Sequence, residues 1–152
     1  MPRAIRWACI VFVAAFAAVQ MVRPDRSNPA DPPDASLLPK APPNVQAILT
    51  RSCADCHSNN TRWPWYTNVS PISWMVASHV HDARDRFNFS TWTSYNSDDQ
   101  DKFLGNMCSM TKKGKMPLAS YLLIHRDARL SDADVAAICA WSGKLRASLP
   151  ED

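Results

Sequence analysis

Cys53-Ala54-Asp55-Cys56-His57 decides the reading of this chain. Two cysteines three positions apart lie on one face of a helical turn, and the histidine that follows turns its imidazole to the same side. That is the attachment pattern of a c-type haem: Cys53 and Cys56 form thioethers with the vinyl groups, and His57 ligates the iron. The rivals fit less well. A redox Cys-x-x-Cys should follow a strand in a βαβ pattern, which is absent, and a zinc site needs a second ligand pair that Cys108 and Cys139 do not supply at finger-like spacing.

The 152 residues, with 12 prolines and 3 glycines, suit one core. Met1 to Arg6 is short and basic, and Trp7 to Val22 is an uncharged, mostly apolar run. As a helix that run spans about 24 Å, a little under a hydrocarbon core of ~30 Å. A cleaved signal is the rival, since Ala15-Phe16-Ala17 is a small-x-small pattern, but it lies inside the apolar run. The expectation is an uncleaved transmembrane anchor over residues 1–23. Arginines flank the run on both sides, so charge does not orient it. Covalent haem attachment belongs to the export side, which places the rest at the bacterial inner membrane facing the periplasm.

Beyond Arg26 the two signs of charge balance, so the overall +3 gives no support to nucleic-acid binding. Residues 24–43 carry seven prolines and read as an extended tether. Residues 44–150 are then the haem-binding domain. Helices are expected from Asn44 into the motif, from Ser70-Pro71 to about Arg86, from Ser97 to Met110, and from Ser131 onward; Gly114 to Tyr121 reads as a loop. No strand alternation is visible. The fold class expected is all-α, a single-domain fold similar to cytochrome c around one covalent haem.

A second axial ligand is needed for low-spin electron transfer, and Met116, stiffened by Pro117, is the first candidate. His125 and His79 are the alternatives. Trp63, Trp65 and Tyr66 are read as walls of a haem edge, with ordinary core packing as the competing role. Cys108 and Cys139 can pair across two helices in an oxidising compartment, closing a loop worth about 3 kcal/mol.

The set Cys53-Ala54-Asp55-Cys56-His57-Ser58-Asn59, Trp63-Pro64-Trp65-Tyr66, Pro71-Ile72-Ser73-Trp74, Asn88-Phe89-Ser90, Met116-Pro117 and Ser120-Tyr121 followed by His125 resembles the bacterial haem-binding domain proteins. The resemblance implies a small membrane-anchored c-type haem protein. Asp82-Ala83-Arg84 departs from the family's tendency to glycine before the arginine, and the later cysteines lie outside its pattern. The function expected is single-electron transfer by a carrier that is not an enzyme, serving a redox partner protein or a larger membrane complex. The alternative is a haem sensor or peroxidase-like protein with an open or displaceable sixth position.

Overall fold

The computed structural model describes residues 2–150, which are all-helical with no strand among them. Seven α-helices follow in order: α1 (Arg3–Val19), α2 (Pro43–Ser52), α3 (Ala54–His57), α4 (Ile72–Arg86), α5 (Ser97–Lys112), α6 (Ala119–Leu122) and α7 (Asp132–Arg146). Short 3-10 turns at 65–68 and 89–94 carry much of the aromatic content.

The core forms where α2, α5 and α7 turn their apolar stripes on one another. Leu49, Leu104 and Ile138 are fully buried at this junction, joined by Val45, Phe89 and Trp92. Their spacing, Val45-Ile48-Leu49 on α2 for example, is the helical period that the sequence displays. Helices α5 and α7 form the broadest helix pair, and the Cys108–Cys139 disulfide crosses it.

Ser131 caps α7 as its sequence implies. Its hydroxyl accepts from the Asp134 N–H at 3.1 Å, and its own N–H donates to the Asp134 carboxylate at 2.9 Å. The same carboxylate takes Arg51 of α2 at 3.1 Å, so the cap also fastens α7 to α2. Bonds from the Ser131 backbone and hydroxyl hold the Asp134 carboxyl below its usual range, against the opposing effect of burial. We expect Asp134→Ala to cost about 1 kcal/mol of unfolding free energy. A carboxyl held low in the folded state contributes fully above roughly pH 4, and that contribution fades as the pH falls. Denaturant titrations at neutral and acid pH should show the difference between wild type and variant narrowing on acidification.

Four expectations change. The expected loop from Gly114 to Tyr121 gives way at its end to the single turn α6, Ala119–Leu122. The helix before the motif is broken: α2 ends at Ser52, Cys53 leaves helical geometry at φ −131°, and α3 restarts at Ala54. The helix begins at Pro43 rather than after Asn44, because a proline's fixed φ suits the first helical position. The expected transmembrane helix is not found. Among the described residues no helix is long and apolar enough to cross a membrane. Helix α1 has 17 residues, about 26 Å, with none of its side chains buried.

The proline-rich stretch is extended up to a turn at Pro33-Asp34 and a 3-10 turn at Leu38–Lys40, and it lies along the domain. Gln20 pairs with the backbone of Ser70 in both directions, at 3.1 and 2.9 Å. Arg26 donates to the Thr67 carbonyl at 2.9 Å and to Asn68 Oδ1 at 2.7 Å. Trp74 Nε1 donates to the Val22 carbonyl at 2.8 Å, and the Leu37 N–H to the Phe89 carbonyl at 2.8 Å. Backbone and side-chain polar groups outside regular secondary structure must find partners, and here the domain supplies both acceptors, at Ser70, Thr67, Asn68 and Phe89, and donors, at Ser70 and Trp74.

Candidate haem site

The motif closes as one helical turn. The Cys53 carbonyl accepts from the N–H groups of Cys56 (3.1 Å) and His57 (3.0 Å), which sets both thiols on one face. Both thiols are free. Burial, then the neighbouring Cys56, pushes the Cys53 thiol up to about 12; burial, then Asp55, pushes Cys56 up to about 11. A redox-active pair needs the opposite, a thiol lowered toward neutrality. Among the described residues no three His, Cys, Asp or Glu side chains converge as a metal-ion site.

His57 is oriented by α4. Its Nδ1 lies 2.8 Å from the Phe87 carbonyl, and that residue's own N–H is held by Ala83 at 2.9 Å. With Nδ1 carrying the donated proton, Nε2 keeps its lone pair, the state in which an imidazole ligates a metal. Phe89 stacks on the ring at 5.9 Å and Phe87 tilts against it at 6.2 Å. Burial outweighs the two nearby carbonyls and holds the imidazole below its ordinary range, so it is neutral.

Asp55, between the cysteines, is 9 % exposed and carries the densest contacts of the site. Its carboxylate takes Arg62 through Nε and Nη2, each at 3.0 Å, and the Tyr121 hydroxyl at 2.8 Å. Burial would raise its pKa, but these donors hold it below the usual range. Tyr121 stacks on His125 at 4.2 Å, and His125 Nε2 meets the Tyr66 hydroxyl at 2.6 Å. Tyr66, read as a wall of the haem edge, and His125, read as an alternative ligand, are therefore one cluster.

The other expected residues disperse. Trp63 donates to Asn28 Oδ1 at 3.2 Å and faces the extended stretch; Trp65 is 78 % exposed. His79 is half-buried on α4 and enters none of the bonds that gather this cluster. Met116 is half-buried. It is delivered by the left-handed Gly114 (φ 62°), which ends α5 so that the Lys115 and Met116 N–H groups return to the Met110 carbonyl. Arg84, marked in the sequence only by the departure at Asp82-Ala83-Arg84, donates to Ser58, Ser27, Asn28 and Thr61, fastening the loop after His57 to the extended stretch.

A haem would need thiols on one face, a neutral imidazole aimed by its far nitrogen, and apolar surface beside them. The first two are in place. For the third, the rings of Phe87 and Phe89 lie against the His57 imidazole. The residues present fit that group.

The sequence profile described as "Haem-binding domain" matches residues 14–144. No curated protein and no solved structure matches the chain. The matched span includes the proline-rich stretch.

Proposed function

Since the chain belongs to the haem-binding domain family, we propose that it is a single-haem c-type electron carrier held at the bacterial inner membrane, with its haem domain facing the periplasm. The observation that carries this reading is the His57 geometry: Nδ1 committed to the Phe87 carbonyl, Nε2 free, and two thiols on the same turn. Bound iron would supply the one-electron chemistry, alternating between its ferric and ferrous states. The chain supplies attachment through Cys53 and Cys56, the proximal ligand His57, and a sixth ligand in Met116. His125 is less suited to that last role, because Tyr66 already holds its Nε2.

Membrane attachment is assigned to α1. Every side chain from residue 3 to 18 is exposed, and the apolar run continues through Met21 and Val22, at 83 % and 61 % exposure. Apolar surface on that scale calls for lipid or a partner's apolar surface. A redox partner protein or a membrane complex would donate and accept the electrons.

The test is the ferric spectrum of wild type and Met116→Ala. We expect a low-spin wild type with the weak charge-transfer band of methionine-ligated haem, lost in the variant together with a fall in reduction potential. A high-spin ferric wild type, whose chemically reduced form shifts with carbon monoxide, would favour the sensor or peroxidase-like alternative.

A further inference from the structure

We infer that Asp55 is a positioning residue that locks the 119–125 segment onto the haem-attachment turn. The position is unusual for a carboxylate. It sits inside the five-residue motif, nearly out of water, where an unpaired charge is strongly disfavoured. Each of its partners comes from elsewhere in the chain: Arg62 from the loop after His57, and Tyr121 from α6.

Tyr121 carries the coupling further. Its ring lies on His125 at an interplanar angle of 11°, and its carbonyl accepts from the His125 N–H at 3.0 Å. His125 in turn reaches the Tyr66 hydroxyl. One line of contacts thus runs from the attachment turn through Asp55, Tyr121 and His125 to Tyr66, and α6 begins only three residues after Met116. Helix α6 is a single turn of four residues, too short to hold its place by its own hydrogen bonds. The Tyr121 hydroxyl on a buried carboxylate is the strongest polar contact that this segment makes with the motif. The inference rests on reading residues 53–57 as the haem turn, and it assigns to a residue between the cysteines the task of seating the segment beside the sixth ligand.

The experiment is hydrogen exchange on the full-length, haem-loaded protein. Tyr121→Phe keeps the ring stack and removes only the hydroxyl. The amides of Leu122, Ile124 and His125 should exchange roughly tenfold faster, while those of α5 and α7 stay unchanged. Adding Tyr121→Phe to Asp55→Ala should give no further acceleration, because the contact is already absent. Unchanged exchange at 119–125, equal acceleration throughout α5 and α7, or additive effects in the double variant would each overturn the inference. In the same samples the methionine–iron band should weaken in Tyr121→Phe. If Met116→Ala leaves the wild-type spectrum intact, the ligand assignment fails on its own and the exchange result still decides the lock.

Discussion

With His57 replaced by alanine, essentially all of the low-spin haem signature is expected to vanish, even where the thioethers still form. The effect is large because nothing else in the turn can take the imidazole's place. Its neighbours on that side are Phe87 and Phe89, whose rings enclose it and offer no lone pair. His125 is bound to Tyr66, and Met116 would hold the group from a separate segment, after Gly114. The second half of the prediction concerns orientation. Nδ1 is held by a carbonyl at the end of α4, where the chain is fixed by the Phe87–Ala83 bond. An asparagine at 57 could keep a bond to that carbonyl without supplying a strong iron ligand, so His57→Asn should lose the low-spin signal as completely as alanine. Optical and electron-paramagnetic spectra of both variants check this. Retention of a low-spin ferric signal in either would mean that another residue is the proximal ligand.

Converting Cys108 and Cys139 to serine together is expected to lower the unfolding free energy by about 3 kcal/mol, and the melting temperature by roughly 10 °C. The bridge spans a sequence separation of 31 and joins the two helices whose interface is the broadest in the domain. Cutting it frees that loop in the unfolded chain, and it leaves the helices to be held by Leu104, Ile138 and the Arg146–Asp101 pair. That pair is exposed on both sides and contributes little by itself. Wild type melted in a reductant should match the double variant, whereas a difference between wild type and variant of only two or three degrees would show that packing alone fixes α5 against α7.

What the sequence made legible is local. The motif names its own residues, since attachment and ligation are contained in five positions. The helices follow from apolar spacing, and the α7 cap from Ser131 and Asp134 standing three apart. What it concealed depends on residues far apart in the chain. Asp55 reads as an arbitrary filler between two cysteines until Tyr121 is seen to donate to it from 66 residues away. Nor does His125 look committed in the sequence, where its contact with Tyr66 across 59 residues leaves no periodic trace.

The extended stretch shows the same limit from the other direction. Its prolines exclude any long helix, leaving only the 3-10 turn Leu38–Lys40 before α2 starts at Pro43, and that composition is the one a free spacer would have. Its polar side chains decide the outcome: Gln20, Arg26 and Asn28 meet Ser70, Thr67, Asn68 and Thr61 on the domain. A faint signal existed, since a spacer has little use for amides and guanidinium groups among its prolines. The extent of the N-terminal helix was not legible either, because the apolar run outlasts it: α1 stops at Val19, while Met21 and Val22 continue apolar outside it.

The covalent bond to porphyrin is the claim on which the rest depends, and intact mass under denaturing conditions addresses it most directly. Protein made in a host competent for cytochrome c maturation should carry the added mass of one haem, resistant to acid extraction and absent from the Cys53→Ser, Cys56→Ser double variant. A chain of bare polypeptide mass, or haem that acid solvent removes, would contradict it.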